Sequence, residues 1–181
     1  MSRDDPLQTD FFIAGQEKVL YTSHTVWYQR PHGTKATTTI TREDRAGERL
    51  QVGVIEWPVS SRQSRPQIFV GTRPVEMTRT GLYTSPEKFT AADHHAYEWQ
   101  ISDSRPQLVP LEEHRSAAYI ATFVHSSTGS FLTRKHSASL FIPPEGVPIL
   151  DDIVVTFVYF ESQWRNKERR RSRSSMSVLV A

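Results

Sequence analysis

Residues 147–173 read VPILDDIVVTFVYFESQWRNKERRRSR, an apolar run that passes directly into a cluster of arginines. Pro148 suits a first helical turn, Asp151 and Asp152 sit where a helix dipole favours acid, and Arg165, Lys167 and Arg169 to Arg171 sit where it favours base. Between them Leu150, Ile153, Val154, Phe157, Val158, Phe160 and Trp164 are joined by Ile149, Val155 and Tyr159 on the remaining sides. A helix that is apolar nearly all round has to be enclosed. The rest of the chain reads as strands, so the spacing predicts a sheet wrapped around this one helix.

The 181 residues are enough for one domain with a substantial core. Only 37% of them are hydrophobic, so the nine Phe, six Tyr and four Trp must supply much of the buried area. The absence of cysteine excludes disulfides, a thiolate zinc site and a cysteine nucleophile, and fits a reducing compartment. Residues 1–10 lack the pattern of a signal peptide, and the run Ile153 to Phe160 falls short of the roughly 20 residues a membrane span needs. The expectation is an intracellular protein, cytoplasmic or nuclear, peripheral where it meets membranes. The net charge of +2 is unevenly spread: residues 165–173 carry six basic side chains and one acid, a net +5, which leaves the remainder at −3.

Runs of β-branched and aromatic residues bounded by Gly, Pro, Asn, Asp or Ser predict eleven short strands. These are Asp10–Ala14, Lys18–Thr22, Thr25–Arg30, Ala36–Arg42, Arg49–Trp57, Gln67–Val70, Val75–Thr78, Ala96–Ser102, Gln107–Leu111, Ala117–Val124 and Ser139–Ile142. Alternation puts Val52, Val54 and Glu56 on one face of the fifth and Ile55 and Trp57 on the other. The pairs His32-Gly33, Ala46-Gly47, Thr128-Gly129 and Glu145-Gly146 punctuate turns, and residues 58–66 read as a solvated loop. The predicted organisation is a flexible N-terminus over 1–9, a barrel domain over 10–165 with its helix at about 148–166, and a basic, Ser-rich tail over 167–181.

Several segments together resemble a known family: Thr37-Thr38-Thr39-Ile40-Thr41-Arg42, Val54-Ile55-Glu56-Trp57, Lys88-Phe89-Thr90, Ala92-Asp93, Tyr97-Glu98-Trp99, and Ile149-Leu150-Asp151-Asp152-Ile153-Val154-Val155-Thr156-Phe157-Val158-Tyr159. They look like a basidiomycete fungal domain of unknown function, over roughly Phe11 to Arg171. By architecture that family resembles the tubby C-terminal-like group, with the LURP-one-related proteins and the phospholipid scramblases. The resemblance implies a mainly β fold, a closed antiparallel β-barrel of about 11–12 strands threaded by a hydrophobic C-terminal helix. It carries over no catalytic residue. Where the family tends to have Asp-Gly before the Tyr-x-Trp strand, this chain has Asp93-His94-His95.

No GxSxG elbow, P-loop, dinucleotide-binding glycine pattern or HExxH occurs in the sequence, which gives no support to the familiar hydrolase, nucleotide and zincin chemistries. Asp93, His94 and His95 carry metal-binding atoms, but adjacent strand residues point to opposite faces, so no metal and no cofactor is assigned. His24, His32, His114, His125 and His136 are scattered, and Trp57 and Trp99 read as core packing. The candidate site is basic: Arg165, Lys167, Arg169, Arg170, Arg171 and Arg173 of the tail, with Arg62, Arg65, Arg73 and Arg79 as a second stretch that folding could bring near it. Guanidinium forks match phosphate oxygens.

The leading expectation is therefore a non-enzymatic module that binds anionic membrane lipid, phosphoinositide-like headgroups above all, through Arg and Lys. A protein-interaction or regulatory module is the alternative, with Arg170-Arg171-Ser172-Arg173-Ser174 as a nuclear-localisation or phosphorylation segment. An enzyme with an unrecognised pocket is the third. Nucleic acid, whose phosphates the same arginines would suit, is a less favoured partner.

Overall fold

The computed structural model describes residues 1–16, 18–30, 33–44, 46–58, 65–81, 86–112, 119–127 and 137–178, with side chains outside the description at 30 and 173–178. Among the described residues twelve strands form two six-stranded antiparallel meanders. The first holds β1 (Thr9–Phe12), β2 (Val19–Arg30), β3 (Gly33–Glu43), β4 (Arg49–Trp57), β5 (Gln67–Val70) and β6 (Arg73–Val75). The second holds β7 (Thr78–Arg79), β8 (Glu87–Thr90), β9 (Ala96–Ser102), β10 (Arg105–Pro110), β11 (Ala121–Val124) and β12 (Ser139–Phe141). A 3₁₀ turn, Pro144–Ile149, leads into the helix α1, Leu150–Val178.

This corrects the closed barrel expected from the resemblance. The fold is mainly β with one C-terminal helix, but neither sheet closes: β1 and β6 are the edges of one, β7 and β12 of the other. At the first seam β6 and β7 are three and two residues long, and Pro74 in β6 has no N–H to extend a ladder. The chain crosses between sheets through Glu76 and Met77. At the second seam the N-terminal segment spans the gap, with the Met1 ammonium donating to the Ala138 carbonyl at 3.0 Å and Ser126 Oγ to Asp4 at 2.8 Å.

The helix lies between the sheets, and from Asp152 to Ser162 every residue is buried. Phe157 packs against Phe11 of one sheet and against Trp99 and Phe123 of the other. Thr156, the single polar residue within the run Ile153 to Phe160, accepts the Trp99 indole N–H at 2.9 Å and donates to the Asp152 carbonyl at 2.6 Å. Its hydroxyl is thereby satisfied in an apolar setting. The opening of α1 is tied to the first sheet by acids: Asp151 takes Arg42 at 2.9 Å and the Tyr21 hydroxyl at 2.5 Å, and Asp152 takes Arg73, while the Ala92 N–H between β8 and β9 of the second sheet donates to Asp152 at 3.4 Å.

Five details differ from the sequence reading. The predicted strands at 18–22 and 25–30 are one strand, β2, paired with β3 at ten consecutive positions, and Ser23 inside it is buried with its hydroxyl donating to the Pro6 carbonyl at 2.6 Å. The predicted strand 75–78 divides between β6 and β7, and β8 is an added strand. In β4 the register shifts between Ile40 and Thr41 of its partner, so Val52 is a bulge residue and is buried instead of sharing the outward face of Val54 and Glu56. The helix continues past 166 through the stretch read as a tail.

Candidate functional site

Along α1 the residues Tyr159, Ser162, Gln163, Asn166, Lys167 and Arg170 recur at spacings of three and four, which places them on one face. That face looks into a cleft of about 600 Å³ at one end of the seam between the sheets. The first sheet contributes Trp27 from β2 and Trp57 from β4, and the loop before β5 contributes Arg65. The second contributes Arg79 from β7 and Glu87 from β8. A smaller hollow of about 410 Å³ adjoins it past Arg65, Met77 and Tyr159.

The wall of the cleft is aromatic for a reason of register. Trp27 pairs with Ala36 and Ala36 with Trp57, so two indoles on the inner face flank a fully buried alanine too small to fill the space between them. Trp57 stacks on Tyr159 with ring centroids 6.0 Å apart, and its indole N–H donates to Thr38 Oγ1 at 2.8 Å, which fixes the ring. Opposite stand four cations, Arg65, Arg79, Lys167 and Arg170, and among the described residues Glu87 is the one carboxylate of the lining. Glu87 is buried and meets Arg79 Nε at 3.5 Å, and its carboxylate lies beside the Tyr159 hydroxyl, whose pKa is raised by burial first and by Glu87 second. With Arg79 matched to Glu87, the lining carries a net +3. Burial pushes the Lys167 ammonium below its usual value, and the Arg79 charge pushes it further the same way. A bound anion would reverse that second effect.

The ten basic residues singled out from sequence are thus sorted by geometry. Arg65, Arg79, Lys167 and Arg170 come together in the cleft. Arg169 is exposed outside its lining, and Arg171 pairs with Glu168 at 3.0 Å. Arg165 points to another side of α1, where it donates to Glu161 at 2.6 Å and to Asp4 at 2.8 Å. Arg73 lies near the start of the helix with Asp152 and the Thr90 carbonyl. Arg62 and the Arg173 side chain lie outside the described residues, as do His32, His114, His136 and the Thr128-Gly129 turn. Trp27, Tyr159, Gln163, Asn166 and Glu87 are cleft residues the sequence reading did not single out. Projecting 159–170 onto a helical wheel would have found those from α1.

Asp93-His94-His95 forms a turn: the His94 N–H donates to the Ala91 carbonyl at 3.0 Å, and His94 has φ 65°, the conformation glycine would favour. His95 Nδ1 meets Glu112 at 2.7 Å. Among the described residues no three His, Cys, Asp or Glu side chains gather as metal ligands. Nor is any described helix long and apolar enough to cross a membrane.

No curated protein and no solved structure matches the chain. A family model does: it is described as a family of unknown function, DUF6593, it matches residues 4–166, a span that includes both sheets and α1 as far as Asn166 of the cleft, and the chain belongs to that family.

Proposed function

We propose that the protein is a non-enzymatic binding module whose cleft holds the phosphates of an anionic lipid headgroup. The observation that carries this reading is the convergence of Arg65 from the loop before β5 and Arg79 from β7 with Lys167 and Arg170 from α1 on one concave, aromatic-walled space. Arginine forks and a lysine point charge are the side chains that recognise phosphate, and low-dielectric walls strengthen their field. The support is this chemistry and not the resemblance to tubby-like proteins or scramblases, a link that the family's description does not make.

A nuclear or phosphorylation segment at 170–174 is less well supported. These residues continue α1, and Ser172 Oγ donates to the Glu168 carbonyl one turn back at 3.1 Å, whereas such signals are read in accessible, extended chain.

Co-sedimentation with phosphoinositide-containing and neutral vesicles tests the proposal. Each basic group near an anionic surface contributes on the order of 1 kcal/mol, so changing Arg65, Lys167 and Arg170 together to Gln is expected to weaken binding by roughly two decades. Changing Arg169 and Arg171, which lie off the cleft, is expected to cost less. Added salt should weaken the wild-type interaction. Equal binding by the triple variant and the wild type, or equal binding to neutral vesicles, would show that the cleft is not the site.

A further inference from the structure

The cleft is graded from its rim to its floor. Arg65 and Arg170 stand exposed at the rim, and the Arg79 side chain is 55% exposed although it meets Glu87. Among the described residues of the lining Met77, Glu87, Tyr159 and Ser162 are buried and form the floor. That floor is rich in acceptors and poor in free donors. Ser162 Oγ donates its proton to the Val158 carbonyl at 2.6 Å, and the Trp57 indole N–H is taken by Thr38. Burial first and the Glu87 carboxylate second hold the proton on the Tyr159 hydroxyl. Glu87 itself presents roughly four acceptor sites, and Arg79 approaches it with Nε alone, at 3.5 Å. Lone pairs of Glu87 and Ser162 thus remain to be matched from the cleft.

We infer that Glu87 is the specificity-determining residue of the cleft: it accepts a free hydroxyl of a phosphorylated polyol and rejects a phosphate at the same depth. The ligand then lies with its phosphate among the rim cations and its hydroxyls against Glu87 and Ser162. The inference rests on the headgroup reading of the cleft and specifies the headgroup's chemistry, which a lipid and a free sugar phosphate share. A carboxylate has acceptors only, so a phosphate brought to it sets two anions together where water screens them least. A hydroxyl donates to Glu87 or Ser162 and still accepts from the Gln163 or Asn166 amide of the same lining. A ligand with phosphate alone would fill the rim and leave the floor acceptors unmatched, and unmatched buried groups are what let a site refuse an analogue that lacks a hydroxyl. A carboxylate at the deepest point weakens a site for phosphate alone. In a site that sorts polyols it has a use.

The test titrates the full chain with myo-inositol 1-phosphate, ethyl phosphate and phosphoethanolamine, followed by the NMR signals of the indole N–H groups. Wild type is expected to bind the inositol phosphate at least about tenfold more tightly than ethyl phosphate, which has the same charge. Glu87→Gln keeps the shape of the side chain, and the Arg79 it releases is already more than half exposed. The variant should bind ethyl phosphate more tightly than wild type does, with its preference for the inositol phosphate below about threefold. A residue needed only for folding would weaken both ligands alike and leave the ratio unchanged. Equal binding of the two by wild type, which needs no variant to fold, or an unchanged ratio in Glu87→Gln would overturn the inference. Tighter binding of phosphoethanolamine than of the inositol phosphate would overturn it too, by giving Glu87 an ammonium. Vesicles of phosphatidylcholine with phosphatidylinositol 4-phosphate, or with phosphatidic acid at the same surface potential, identify the source. Preference for the phosphoinositide vesicles supports a lipid headgroup, whereas selective binding of the soluble polyol phosphate and of no vesicle would keep the role of Glu87 and overturn the lipid reading. Binding of no phosphate compound in either form would end both.

Discussion

Glu161 is fully buried in α1, and its two oxygens differ: Oε1 accepts Arg165 Nε at 2.6 Å, and Oε2 has no hydrogen-bond partner among the described residues. Beside it, Arg165 Nη2 lies 3.3 Å from His125 Nδ1, so that nitrogen accepts, and the neutral ring keeps its proton on Nε2, which is buried and also without a partner there. The His125 ring stacks on Trp164 and meets Phe123 edge-on. Burial first, and the Arg165 charge second, push His125 below its usual pKa, with Asp4 opposing. The unfolded chain therefore takes up the proton first as the pH falls. Stability from this group is fully present above the ordinary value of about 6.5 and is lost progressively below it. Glu161, held up by burial against the pull of Arg165, has the opposite sign and loses its contribution as pH rises through its raised pKa. An NMR titration should place the His125 midpoint below about 6.5, and wild type should lose stability relative to His125→Gln between about pH 7 and 5.5. Removing Arg165 would leave Glu161 uncompensated. Arg165→Met should cost on the order of 3–5 kcal/mol in urea unfolding. None of this was legible in sequence, because Asp4, His125 and residues 161–165 meet only when the N-terminal segment crosses the second seam.

At the scale of elements, α1 and β4 approach more closely than side chains ordinarily allow, and glycine makes it possible. A Cβ on Gly53 would lie 2.3 Å from Val155 Cγ2 and 3.2 Å from the Phe69 carbonyl oxygen. Gly53→Ala should destabilise by at least about 1–3 kcal/mol, and part of the loss should return in the double variant with Val155→Ala, as a double-mutant cycle in urea would measure. Gly146 is a second close approach, with a Cβ 2.7 Å from the Ile120 carbonyl oxygen, where the sequence suggested only a turn glycine. Strands β4, β5 and β9 were readable to their end residues because apolar runs and turn residues coincide there. The bulge at Val52 was not, since a one-residue insertion reverses the alternation without changing the letters. Strand β2 was read as two because Ser23 and His24 look like a break, and ten cross-strand pairs override that local preference.

The whole molecule depends on one helix shared by two sheets. Phe157 touches both, so Phe157→Ala should cost about 3–5 kcal/mol and lower amide protection in β3 and in β9 alike, which hydrogen exchange would resolve strand by strand. Loss confined to one sheet would show that they unfold separately. The enclosed helix was legible because a segment apolar on every side admits no other placement. Barrel closure was not, because it turns on ladder pairing at the seams, where strands are two to four residues long and Pro74 lacks a donor. The basic residues were legible as a class, but their division among cleft, seam and helix start was hidden by α1 continuing where an unstructured tail was expected. Residues 165 and 167 are two apart in sequence and face different ways.

The order of elements along the chain has its own consequence during synthesis. Strands β1 to β12 precede α1 and pair with sequence neighbours, so both sheets can assemble as the ribosome releases them. Their inner faces have nothing to cover them until the helix emerges. At roughly 5–20 residues per second, the 29 residues of α1 take a few seconds to translate, and for that interval the nascent chain presents two uncovered apolar surfaces. Because α1 is made after both sheets, its emergence is what ends their exposure to chaperones and to neighbouring nascent chains.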